Sequence, residues 1–161
     1  MPRLLIVYHS ATGGTEQMAR AAHAAATAEG DATLLRAADA GPDDLLSHDG
    51  YLFAAPENLA AIAGVMKDFF DRSYYPVLGR IEGRPYAQMV CAGSDGSNAA
   101  RQTARIATGW RLKQVQEPLI ICTKAQTPDQ ILAPKVIPDG DLALCRDLGA
   151  ALAAGLTLGV F

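Results

Sequence analysis

Long apolar runs are missing from this chain, and none approaches the roughly 18–20 residues that a membrane-spanning helix needs. The first apolar run begins almost at once, so no secretory leader is expected. Cysteine is scarce. Cys91, Cys122 and Cys145 are the only three in 161 residues; they cannot all pair and show no CxxC spacing. Cys91 and Cys122 fall inside apolar runs and are expected as small buried hydrophobes in a reducing cytoplasm. An excess of basic charge is absent as well. The formal net charge of −3 provides no footprint for nucleic acid or an anionic membrane. Two nucleotide motifs are also missing, the GxxxxGK[ST] of phosphate-hydrolysing loops and the GxGxxG dinucleotide fingerprint.

What is present begins with His9–Glu16, HSATGGTE, directly after the apolar run Leu4–Tyr8. A short buried strand passes through a Gly-rich turn into the helix-like run Glu16–Glu29. Gly13 and Gly14 permit a tight turn and close approach to an anion, and a helix N-terminus aims free N–H groups at it. Ser10, Thr12 and Thr15 add hydroxyls. No Lys or Arg stands between Arg3 and Arg20, so such a cradle would hold phosphate through neutral donors. An ordinary Gly-rich turn with a Thr cap is the competing reading of these residues.

Five apolar runs, at residues 3–9, 32–36, 50–55, 86–92 and 118–123, alternate with helical patterns. LLIVY and LIIC are continuously apolar, as strands covered on both faces must be. Ile62, Val65, Met66, Phe69, Phe70 and Tyr74 form one helical stripe that Pro76 is expected to stop. Leu142, Cys145, Leu148, Leu152 and Leu156 form another, and Val7, Tyr8, Leu119 and Ile121 complete the expected core layers. The pattern predicts an α/β, doubly wound parallel sheet with helices on both faces, a single domain over residues 1–161. Ligands of such sheets sit outside the carboxyl ends of the strands. Three loops are expected to meet there: residues 9–15, 56–63 and 93–98.

These residues resemble a known family. Ser10–Thr15 is similar to the flavodoxin-like phosphate loop [ST]-x-T-G-x-T, and Pro56–Arg72 to the P…G.MK.F.D segment of NAD(P)H:quinone oxidoreductases and NADPH-dependent FMN reductases. The resemblance implies a five-stranded sheet of order 2-1-3-4-5 and one FMN. Its phosphate would lie on Ser10, Thr12, Gly13, Gly14 and Thr15, and its ring against Pro56, Glu57, Asn58, Leu59, Ala60, Gly93, Ser94, Asp95, Gly96 and Ser97. It further implies hydride chemistry on the flavin, with NADPH or NADH as reductant and a quinone, free flavin or similar small molecule as acceptor. The alternative is a flavodoxin-type electron carrier with a redox protein partner. Carriers stack the ring between aromatics, and residues 56–63 and 93–98 contain none, which favours the enzyme. A metal ligand set is nowhere suggested. Tyr74, Tyr75 and Trp110 lie about 20 Å from the ring by helix rise and are expected in the core or in a homodimer contact. Glu57 and Asp95 read as solvated loop residues, and Arg101, Arg105, Arg111 and Lys113 as a solvated helix face or a surface for an NADPH phosphate. Residues 124–138 leave the last strand at the ligand edge, either walling the pocket or making an interface. Thr127-Pro128-Asp129-Gln130 within them reads as a capping box.

Overall fold

Leu4–Tyr8 are buried on both faces, and the strand they form, Arg3–Tyr8 (β1), is an interior strand of the sheet, paired along both edges. The computed structural model describes all residues, Met1–Phe161. Around β1 run Gly14–Glu29 (α1), Asp31–Arg36 (β2), Pro42–Leu46 (α2), Gly50–Asn58 (β3), Ala61–Ile62 (β4) and Gly64–Val77 (α3). Pro85–Ala92 (β5), Ser97–Gly109 (α4), Lys113–Gln114 (β6), Leu119–Cys122 (β7), Pro128–Leu132 (α5) and Asp139–Leu158 (α6) complete the chain. The parallel order is β2-β1-β3-β5, with β6 and β7 sharing the last position beside β5. That is the expected 2-1-3-4-5 order with its fifth strand split. Between the two short ladders β5 advances only through Ala87 and Gln88, while the edge must fit Val115–Pro118. The excess bulges out at Pro118, which cannot donate to a ladder.

The two faces differ in kind. Tyr51, Phe53, Phe69, Phe70, Tyr86 and Trp110 all pack on the α3/α4 face, with Phe53 touching Tyr51, Phe69, Phe70, Tyr86 and Trp110. The α1/α6 face is built from small residues, Ala19, Ala22, Ala26, Ala153 and Cys145, with Leu148 and Leu152. Helices packed through small residues approach closely. A Cβ on Gly149 of α6 would collide with the backbone of Ala22 in α1.

Several expectations are corrected. Ile62 is not on the helical stripe, because residues 61–62 turn back as β4, and α3 starts only at Gly64. Val65, in the first turn of α3, is exposed instead of buried. Pro76 sits in the last turn, where its missing N–H frees a single carbonyl, and α3 runs on to Val77. Cys122 ends β7 and is exposed, although Cys91 and Cys145 are buried. Tyr75 is also exposed, whereas Tyr74 packs on the core and Trp110 is fully buried, its indole N–H donating to the Tyr74 carbonyl. Leu119 is half-buried beneath the small-residue face.

Candidate functional site

At the carboxyl end of β1 the chain turns at Gly13, held at φ 94°, and enters the sixteen-residue α1. No side chain caps this helix. The amides of Gly14, Thr15 and Glu16 find no acceptor in the protein, and neither do those of Ser10, Ala11 and Thr12. Orphan donors converging on a helix N-terminus form an anion cradle. The Ser10 hydroxyl accepts from Gly13 N at 3.1 Å and shapes the turn. Gly14 is required by space: a Cβ there would stand 2.9 Å from the Cys91 Sγ. Thr15 is buried beneath the cradle beside Cys91, whereas Ser10, Thr12 and Gly13 remain half-buried at its mouth. In the first turn of α1, the Tyr8 hydroxyl donates to Glu16 and Arg20 pairs with it, which together hold the Glu16 carboxyl below its ordinary range. Adjacent His9 is partly desolvated, and burial lowers its pKa.

The expected loop 56–63 is a β-hairpin. β3 continues through Pro56 and Glu57 to Asn58, turns at Leu59 and Ala60, and pairs back as β4. Leu59 and Ala60 take φ of 50° and 60°, the left-handed conformation that a two-residue hairpin turn requires and that glycine or asparagine normally supplies. Helix α4 holds the strained turn: Asn98 donates to the Ala60 carbonyl, and Gln102 accepts from Ile62 N at 2.8 Å. Leu59 is fully exposed at the tip.

Glu57 does not behave as a solvated loop residue. Its carboxylate accepts from Gly96 N at 2.9 Å and Ala99 N at 3.1 Å, capping α4 from a different strand. It therefore joins the hairpin to residues 93–97 and fills the one anion-attracting end that this third loop possesses. Hydrogen bonds from the Ser97 hydroxyl and from Ser97 N, the latter at 3.0 Å, lower the pKa of Asp95, which lies in solvent with Ser94 and Ser97. Gly96, at φ 86°, packs so closely that a Cβ would meet Ile120 at 2.6 Å. A Cβ on Gly93 would meet the Ala125 carbonyl at 2.7 Å.

Residues 124–138 brace the cradle and the third loop together. Lys124 N donates to the Gly93 carbonyl, and Lys135 N to the Thr12 carbonyl, each at 2.8 Å. Gln17 bridges the same elements, donating to the Gly13 and Lys135 carbonyls and accepting from Ile137 N. The capping box at Thr127 forms as expected. All fifteen expected site residues thus lie along one sheet edge, on the cradle, the hairpin and the third loop. Gln17, Lys135, Asn98 and Gln102 are additional supports. Their partners lie up to 120 residues away, so no local pattern marks them.

Residues 42–127, from α2 to the capping box, match the family model for NADPH-dependent FMN reductase. A flavodoxin of Aquifex aeolicus is 34% identical over 96 residues, 58% of this chain and 50% of its own length. An NAD(P)H dehydrogenase (quinone) of Acidithiobacillus ferrooxidans is 33% identical over 95 residues, 45% of this chain and 48% of its own. The matches thus span about half the length of these curated relatives. Among solved structures, an archaeal flavodoxin superposes with a TM-score of 0.77 at 18% identity, covering 96% of this chain and 99% of that one.

Proposed function

The chain belongs to the NADPH-dependent FMN reductase family, and we propose on that premise that it is an NAD(P)H-dependent reductase of a quinone, a free flavin or a similar small acceptor. FMN, when bound, supplies two-electron chemistry between a nicotinamide and that acceptor. The observation that carries the reading is the set of unpartnered amides around Gly13, on an uncapped helix, at the edge shared with the hairpin and the third loop. Ser10, Thr12 and the amides of residues 10–12 and 14–16 hold the phosphate by neutral donors and the helix dipole. The backbone of Asn58–Ala60 and of Gly93–Ser97 borders the ring, and the exposed Leu59 provides its apolar cover. With no aromatic side chain in either segment, one ring face stays accessible to a nicotinamide and then to the acceptor in turn. The name of the Acidithiobacillus relative supports this reading, and that of the Aquifex relative supports an electron carrier.

The test begins with FMN titrated into the protein while flavin fluorescence is followed. Quenching is expected, and Thr12→Asp, which sets a negative charge against the phosphate, should weaken binding at least tenfold. Thr12 is preferred to Gly14 for this purpose because any side chain at Gly14 strikes Cys91. Anaerobic NADPH or NADH should then bleach the flavin, and a benzoquinone should restore its colour. Absence of binding at high micromolar FMN overturns the cofactor. Bleaching by dithionite alone overturns the reductase in favour of the carrier.

A further inference from the structure

Eight of the fourteen basic residues of this chain are spoken for, and Arg80 and Lys124 stand apart from one another on the surface. Arg3, Arg20, Arg36, Lys67, Arg72 and Arg146 form ion pairs. Arg84 and Lys135 direct their charged groups at backbone carbonyls. Arg101, Arg105, Arg111 and Lys113, on α4 and immediately after it, enter no ion pair, and no Asp or Glu occurs from Gly96 to Gln116. In a chain of net charge −3, this is a segment of one sign, and it is positive.

The segment begins at the cofactor edge. Asn98, Arg101, Arg105 and Thr108 recur at helical spacing along one stripe of α4. At its upper end Arg101 donates to the Asn98 side chain at 3.0 Å, and Asn98 holds the Ala60 carbonyl of the hairpin. At its lower end lies an open recess of about 490 Å³ lined by Tyr74, Arg105, Thr108, Gly109 and Arg111. The floor of the recess is closely packed. A Cβ on Gly109 would collide with the Tyr74 hydroxyl, and Arg111, at φ 61°, turns the chain back across the end of α4. By helix rise, Arg105 lies about 10 Å and Thr108 about 15 Å from Asn98. That is the range over which an extended dinucleotide, its nicotinamide at the hairpin, carries its adenosine phosphate.

We propose that this stripe and recess are the site that selects a 2′-phosphorylated nicotinamide cofactor. Arg105 and Arg111 pair with the 2′-phosphate, and Arg101 meets the pyrophosphate. The proposal rests on the reductase reading above. Guanidinium forks match phosphate oxygens bidentately, and NADH, which lacks the 2′-phosphate, forgoes those contacts. The site thus discriminates by a group present on one cofactor and absent from the other.

The experiment compares the FMN-loaded protein with its Arg105→Gln/Arg111→Gln variant. Both positions are exposed, and unchanged circular dichroism and FMN affinity should show the fold intact. Adenosine 2′,5′-bisphosphate should bind by calorimetry and weaken at least tenfold in the variant, whereas AMP should bind weakly to both. The KM for NADPH should rise at least tenfold, against less than twofold for NADH, and Arg105→Lys should fall between. Equal losses for both nucleotides overturn the proposal. So do unmoved KM values, which would leave the stripe to an acidic protein partner. Should neither nucleotide reduce the flavin, the reductase reading falls, and bisphosphate binding alone decides the site: its loss in the variant supports the proposal, and its persistence overturns it.

Discussion

Leu59 and Ala60 carry the local strain of the site. A left-handed backbone costs a non-glycine residue about 1–2 kcal/mol, so Ala60→Gly should relieve that much in the folded state. Glycine also loosens the unfolded chain by about 0.4–1 kcal/mol, which works the other way. The strain is the larger effect, and a net stabilisation of about 0.5–1 kcal/mol is expected by urea unfolding of the protein without FMN. The hairpin was not legible in the sequence for the same reason. PENLAAIA has no Asn-Gly or Asp-Gly to announce a two-residue turn, and what imposes it is α4, through Asn98 and Gln102. The glycine turn with its unpartnered amides was legible because all its parts lie within seven consecutive residues, each of a type suited to its place. Glu57 was half legible: its type and loop were plain, but its two amide partners come from another element.

At the scale of elements, α1 and α6 are the most closely packed helix pair. The alanines of α1 announced close packing, and the partner surface is Gly149, set against the Ala22 backbone. A backbone cannot rotate aside as a side chain can. Gly149→Ala should therefore force the helices apart and cost about 1–3 kcal/mol, despite alanine's better helix propensity of about 1 kcal/mol. A thermal melt beside a control such as Gly140→Ala, where a Cβ meets nothing, separates packing from propensity. Because α1 carries the cradle, FMN affinity should fall with Gly149→Ala and hold with the control. On the other face, the stripe of α3 was legible at Met66, Phe69 and Phe70 by its period. It failed at Ile62 because tertiary pairing drew residues 61–62 into a strand, and at Val65, which the first turn of α3 leaves exposed.

For the molecule as a whole, the small-residue layer buries two thiols. Burial raises the pKa of Cys145 from its ordinary 9.0 to about 11 and raises that of Cys91 as well. The folded state keeps these protons at a pH where the unfolded chain releases them. Their contribution is thus complete below pH 9 and lost as pH rises toward 11. Stability should fall over that window by an amount on the order of 2 kcal/mol, and Cys145→Ala should flatten the slope whatever its cost at neutral pH. The sequence alone determined the alternation of strands and helices, the parallel sheet and the cradle, because each depends on period or on residues adjacent in the chain. Tertiary structure decided the split edge strand, the strained hairpin, the Glu57 cap and the brace of residues 124–138 across the cradle. Each of those is a hydrogen bond or close approach between segments distant in sequence, whose partners exist only once the sheet has brought its loops to one edge.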